Sequence, residues 1–270
     1  KGANWADPPV VVDRPVFRRD GQGIVPQGHR HLFIVPADGG TPRQLTQGDY
    51  PHGNDFTWSP DGQYLYFSAR RNKDWEYEPQ NSELYRLTLS DLTVTELTSR
   101  YGPDHSPQLS PDGKYLAWLG YDDKHLGYSN TQLYLRNLDS GEQRSLSAEL
   151  DRNVDAFQWG AKGKQIFIKY DDQGQGILAT LDLKGELETL SNTVGGTGLG
   201  RPYGGGNFDV SRNNQVAYTH VETQRPADLH VLNKGKSRQL TQLNEDLLAH
   251  KELAKVEAMR FPSQHDGREV

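Results

Sequence analysis

Residues 56–67 read FTWSPDGQYLYF, a β-hairpin written in full. Its turn is Ser59-Pro60-Asp61-Gly62. Pro60 presets φ near about −65° for the first central residue, and the Asp61 side chain can bond back to the turn backbone. Gly62 takes the left-handed conformation that a residue with a Cβ resists. The aromatic and β-favouring residues on either side form two strands. The pattern then returns. Trp58 is followed at intervals of 51, 50 and 51 residues by Leu109, Trp159 and Val210, each opening a similar hairpin. A fixed period near 50 residues points to stacked supersecondary units.

Outward from this hairpin, each unit holds two more strands. In the second unit a polar loop, Arg70–Ser82, leads to Leu84–Leu89, the turn Ser90-Asp91, and Thr93–Thr98. The third copies it with Pro107–Ser110, Tyr115–Leu119, Gln132–Leu138 and Gln143–Ser147. The fourth runs Phe157–Trp159, Gln165–Tyr170, Ile177–Leu183 and Leu187–Ser191. The fifth runs Phe208–Val210, Gln215–His220, Asp228–Leu232 and Arg238–Thr241. The first shows its outer half, His31–Val35 and Pro42–Thr46, after a less regular inner half. Every unit closes on Leu-Thr or Leu-Ser, and the unit ends fall near 48, 99, 148, 192 and 242.

Four short antiparallel strands per unit predict an all-β fold, a β-propeller of about five blades over residues 1–243 that forms a partial ring. A helical solenoid is excluded, because no unit holds an amphipathic stretch at 3.6 spacing. An immunoglobulin-like sandwich would not recur with a fixed four-strand period. The tail, 244–270, differs. Asn244–Lys255 has helix formers, an Asn244 cap and an acidic first turn. Val256–Ser263 alternates enough for one strand, His265-Asp266-Gly267 is a turn, and Arg268-Glu269-Val270 opens a strand with nothing evident to pair with.

Composition narrows the function. The 270 residues carry a formal charge of −6 with a pI near 5.9, so no basic field exists to bind nucleic acid. No run of about 18 apolar residues occurs, so no membrane span is expected. Zero cysteines exclude disulfides, thiolate metal sites and a cysteine nucleophile in this chain. No cofactor motif is read. The compartment expected is the cytoplasm, with the periplasm the other one open.

These repeats carry a family resemblance. Units of the form W/L-S-P-D-G-x-x-[LI]-x-[FW], then L-Y-x-x-x-[LD], then a closing L-T, resemble the propellers of the prolyl oligopeptidase family of serine peptidases, and also TolB-like propellers. Asn4–Pro9, Tyr203–Phe208, Arg225–Asp228 and Leu240–Leu248 look like the acylaminoacyl-peptidase and dipeptidyl aminopeptidase branch. Val256-Glu257…Phe261-x-Ser263-x-x-Asp266-Gly267-Arg268-Glu269 resembles the opening of the α/β-hydrolase domain that follows such propellers. The resemblance implies a substrate-gating propeller of a peptidase that hydrolyses short peptides or acylated and aminoacyl peptides. Its partners would be that hydrolase domain and a short peptide substrate. No serine here has the G-x-S-x-G setting, so no triad residue is carried over and the 270 residues alone are expected to be inactive. A non-enzymatic TolB-like interaction propeller is the alternative.

Among candidate sites, the loops longer than the fold needs draw attention: Arg70–Ser82, Gly120–Thr131 and Asn192–Asn207. The glycine-rich Gly195–Gly206 matches neither phosphate-binding motif, and a strand follows it. Arg201 and Tyr203 are the two side chains in it that can reach a peptide carbonyl or carboxylate. His29 and His31 could share a strand face, but no third metal ligand is evident and a loop leading into a strand is the simpler account. Asp122-Asp123 and Asp171-Asp172 follow second strands in consecutive units and read as solvated loop acids before calcium ligands. Trp58, Trp118, Trp159 and Phe67 read as inter-sheet packing. An open ring edge would expose strands and invite self-association.

Overall fold

The computed structural model describes residues 2, 6, 8–26, 28–196 and 205–270. The chain divides into two compact units, Lys1–Ser145 and Leu146–Val270. In the first, β1 (Arg18–Arg19) pairs with β2 (Gly23–Ile24), and β3 (Phe33–Ile34) pairs with β4 (Arg43–Gln44). Then come β5 (His52–Trp58), β6 (Tyr64–Ala69), β7 (Glu83–Thr88) and β8 (Val94–Glu96). The next set is β9 (Asp104–Leu109), β10 (Tyr115–Gly120), β11 (Gln132–Asn137) and β12 (Gln143–Ser145). In the second unit, β13 (Val154–Trp159), β14 (Gln165–Asp172), β15 (Gln175–Asp182) and β16 (Leu187–Ser191) form one sheet. The other is β17 (Phe208–Val210), β18 (Val216–Glu222), β19 (Arg225–Asn233) and β20 (Lys236–Gln239). Each four-stranded sheet is antiparallel with its strands in sequence order, which is the build of a propeller blade.

The turn chemistry expected at Ser59–Gly62 is present. The Ser59 hydroxyl donates to Asp61 Oδ1 at 2.5 Å and accepts from the Tyr64 N–H at 2.9 Å. Ser110 repeats this with Asp112 at 2.6 Å and Tyr115 at 3.0 Å. Ser211 does so with Asn213 at 2.6 Å and Gln215 at 2.9 Å. Gly62, Gly113 and Gly163 hold φ of 68°, 72° and 64°, and Asn214 takes the same place at 60°. The closing Leu-Thr also has a physical role. Thr46, Thr98 and Thr241 accept the N–H of Leu32, Leu84 and Leu229 at 2.9, 2.9 and 2.8 Å. Each hydroxyl thus satisfies a strand donor that the fourth strand's backbone leaves open.

Strand β6 is buried on both faces of its sheet, because each face meets a different neighbour. Within β6, Leu65 and Phe67 join Leu32, Leu45, Tyr85 and Leu87, whereas Tyr66 joins Leu84, Leu116 and Trp118. In the second unit Phe167, Leu178, Val216 and Tyr218 cluster between the two sheets.

Four expectations are corrected. The inner half of the first unit does not form: β1 and β2 make a separate ribbon whose residues are all exposed, and β3 pairs with β4 alone. Trp58 is therefore 44% exposed instead of packed between sheets, and Phe56 is 50% exposed beside it. The helix of the tail is one turn, α1 (Glu245–Leu248), with no side-chain bond from Asn244 and no buried residue, so nothing offsets the cost of nucleating a longer one. Arg268–Val270 does find a partner: Phe261 and Val270 exchange backbone bonds of 3.1 and 3.0 Å, and Ser263 N–H reaches the Arg268 carbonyl at 2.7 Å. No described helix is long and apolar enough to cross a membrane.

Candidate functional site on the long-loop side of the first unit

Antiparallel order places the start of β5, the end of β6, the start of β7 and the residues after β8 at one end of the sheet. The 70–82 loop projects from this end. Arg70 and Arg71 open that loop, and Glu83 closes it. His52 begins β5 and is 1% exposed.

Histidine chemistry here is fixed by geometry. His52 Nδ1 lies 3.0 Å from the Arg30 carbonyl oxygen, which can only accept, so Nδ1 carries the proton. Nε2 then accepts from Arg71 Nη1 at 3.0 Å. Protonating Nε2 would bury a charge and turn that bond into repulsion. Burial therefore pushes the His52 pKa down to about 4, and Arg71 and His31 push the same way. Burial, His29 and Arg71 also lower that of His31. Because unfolded His52 takes up its proton near pH 6.5 while the folded residue waits until about 4, the unfolded state binds more protons between these values. Stability is expected to fall as pH drops through that window, by about 3 kcal/mol when complete. Urea titrations at pH 7 and pH 4 measure this, and a His52→Gln variant should lose most of the difference.

Arginine dominates around this histidine. Arg30 Nη1 donates to Asn54 Oδ1 at 3.0 Å. Arg70 donates to the Pro79 carbonyl at 3.3 Å and lies 5.3 Å from the centre of the Trp75 ring. Arg71 sits 5.2 Å from Tyr50 and 5.6 Å from Tyr85. Burial, together with Arg19 and Arg30, lowers the Arg70 pKa. Two of the loop's acids, Glu76 and Glu78, are committed elsewhere. Glu76 pairs with Arg14 at 3.1 Å, and Glu78 accepts from Asn72 at 2.5 Å and Asn81 at 2.9 Å. Among the described residues, no carboxylate pairs with Arg19, Arg30, Arg70 or Arg71. Arg30 and Arg70 line a cavity of 170 Å³ together with His52 and Ser82. A second cavity of 510 Å³ shares Arg30 and Gly53 and is walled by Phe33, Phe56, Trp58 and Leu65.

A second polar node joins the same end of β7 to the start of β9. Asp104, 1% exposed, accepts from Trp118 Nε1 at 2.8 Å and pairs with Arg100. Arg100 also reaches the Tyr134 hydroxyl and Asp122, the latter at 3.2 Å. Thr98 donates to Glu83 Oε2 at 2.5 Å. Burial drives the Glu83 pKa up to about 8 against that hydrogen bond, and burial raises that of Asp104 against the pull of Arg100. Asp104 Oδ2 has no hydrogen-bond partner. These groups close on one another and on the seam between two blades, so the node reads as structural.

Other candidates take their places. Arg201 and Tyr203 lie outside the described residues. His29 stands edge-on to Trp75 at 5.5 Å while His31 turns to His52, and no group of three or more metal-ligating side chains occurs among the described residues. Asp171 and Asp172 lie in β14 instead of a loop, where they pair with Lys169 at 2.9 Å and Arg152 at 2.8 Å. Sequence reasoning passed over His52, Arg30 and the Arg70-Arg71 pair. The signal was a doubled arginine just past a strand, at the mouth of a long loop.

Known proteins place this architecture. Residues 16–125 match the family model "Dipeptidyl peptidase IV (DPP IV) N-terminal region". The chain is 25% identical over 250 residues to dipeptidyl-peptidase 5 of Porphyromonas gingivalis, covering 91% of this chain and 34% of that protein, so it spans about a third of that relative's length. Among solved structures, Pyrococcus horikoshii acylaminoacyl peptidase matches with a TM-score of 0.60 at 18% identity, over 80% of this chain and 31% of that one. TolB from Acinetobacter baumannii matches with a TM-score of 0.54 at 20% identity, over 78% of this chain and 48% of that one. The four-stranded blades and the dipeptidyl peptidase match together make the chain similar to the β-propellers carried by prolyl oligopeptidase family peptidases.

Proposed function

We propose that this chain is the substrate-gating propeller of a serine peptidase that hydrolyses short peptides or acylated and aminoacyl peptides. The observation that carries it is the match of residues 16–125 to the dipeptidyl peptidase N-terminal region, together with 25% identity to a dipeptidyl-peptidase 5 over 91% of the chain. In this reading the propeller sits beside an α/β-hydrolase domain, whose serine, activated by a histidine, forms an acyl-enzyme with the peptide. The propeller limits access to small substrates and lends its long-loop side to them. Residues 1–270 supply no G-x-S-x-G nucleophile, so the chemistry belongs to that other domain. The test has two arms. The reading frame past Val270 should encode a G-x-S-x-G domain, and its product should release chromophore from aminoacyl or acylated peptide substrates. Residues 1–270 alone should release none. A frame without that motif, or turnover by the 270 residues alone, overturns the proposal.

A TolB-like interaction propeller is the second reading. It is supported by 33% identity over 99 residues to the Tol-Pal system protein TolB of Francisella tularensis, which covers 36% of this chain. Recovery of one stoichiometric protein partner with no peptidase turnover would favour it.

A further inference from the structure

The arginines at the long-loop end of β5 and β6 are half-buried or exposed cations that form no ion pair with any described carboxylate, and the loop's Glu76 and Glu78 are engaged elsewhere. Such an arrangement stores positive potential at low local dielectric and awaits a counter-charge. We propose that Arg30 and Arg70, backed by Arg71, form a pocket that takes the free C-terminal carboxylate of a short peptide.

Three features select this ligand. Arg30 and Arg70 both border the 170 Å³ cavity, which is large enough for a carboxylate and too small for a bulky anionic group such as a nucleotide. Guanidinium forks present paired donors that match the two carboxylate oxygens. Arg70 spends one donor on Pro79 and Arg30 one on Asn54, leaving the rest of each fork free for a ligand. The adjoining 510 Å³ cavity shares Arg30 and Gly53 and offers Phe33, Phe56 and Trp58, so a ligand anchored by its carboxylate lays an apolar side chain against aromatic rings. An inorganic anion uses only the first half of this surface. A peptide ending in a carboxylate uses both.

Arg71 has a supporting part. Its bond to the neutral His52 and its place between Tyr50 and Tyr85 hold a third guanidinium behind the pocket. The pocket would thus favour peptides with an unblocked C-terminus over the same peptides as amides. The source of the ligand rests on the peptidase reading above, but the binding test does not depend on turnover.

Residues 1–270 are titrated calorimetrically with acetyl-leucyl-alanine as the free acid, with its C-terminal amide, and with inorganic phosphate. The free acid should bind saturably, and the amide at least about tenfold more weakly, because a charge-assisted pair is lost. Arg30→Gln and Arg70→Gln should each weaken the free acid about tenfold. Arg30 is exposed, so its variant keeps the thermal transition of the parent chain and remains informative if the Arg70 variant folds poorly. Equal binding of acid and amide, no binding of the acid, binding indifferent to Arg30→Gln, or phosphate binding as tightly as the peptide each overturns the proposal. Saturable acid binding without peptidase activity in the complete reading frame would sink the peptidase reading and leave the pocket standing.

Discussion

At pH 9 the Glu83→Gln variant is expected to be more stable than the parent chain by roughly 3–5 kcal/mol. The folded Glu83 carboxyl holds its proton to about pH 8, whereas an unfolded glutamate gives it up near pH 4.5. Between these values the folded state binds more protons than the unfolded state, so stability declines as pH rises. The loss is complete above about 8. Glutamine resembles the protonated acid in shape and charge, so the variant should lack this decline. Urea denaturation at pH 5 and pH 9 provides the measurement. A parent chain equally stable at both would mean that Glu83 ionises as an ordinary carboxylate. Burial sets this behaviour, Asp104 and Glu96 add to it, and Thr98 and Arg100 oppose it by favouring the charged form. His52 acts with the opposite sign at lower pH, so the two nearly offset between about 4.5 and 6.5.

The second large effect belongs to Asp104. Replacing it with alanine is expected to destabilise the chain by about 3–5 kcal/mol, because one member of a buried ion pair is removed and the rest stay buried. Trp118 Nε1–H would lose its acceptor while stacked 5.4 Å from Tyr134, and Arg100 would keep only Tyr134 and the exposed Asp122. Asp104→Asn, which leaves an acceptor for Trp118, should show a clearly smaller loss. Denaturant midpoints for the two variants separate the acceptor role, which Asn keeps, from the charge on Arg100's partner, which both variants lose. Equal, small losses would mean that neither bond matters.

The repeat was legible because each element of the 56–67 hairpin acts locally. A proline, a back-bonding aspartate and a glycine fix a turn within four residues, whatever surrounds them. The closing Leu-Thr was visible as a pattern, yet its purpose was not, since the Thr98 hydroxyl meets Leu84 across 14 residues. The tail misled for the reverse reason. Asn244–Lys255 has every local mark of a helix, but no apolar face is buried and only four residues coil. The arginine site was illegible because it is assembled from Arg30, His52 and the Arg70-Arg71 pair, which stand far apart in the sequence. Only Arg70-Arg71 are adjacent, and a doubled arginine in a sequence does not reveal which carboxylates its neighbours have already claimed.

Because Tyr66 and Phe67 answer to different neighbours, β6 has no solvent face by which its register could be recognised. A slip of one residue would exchange one aromatic ring for another at both interfaces, and burial alone would hardly object. Fidelity must therefore come from the hairpin's end. Ser59, Asp61 and Gly62 lock the first pairing through bonds that a shifted chain cannot remake, and Ser110, Asp112 and Gly113 repeat the lock one blade later. The turn works as a proofreading device for a strand whose own residues cannot tell left from right.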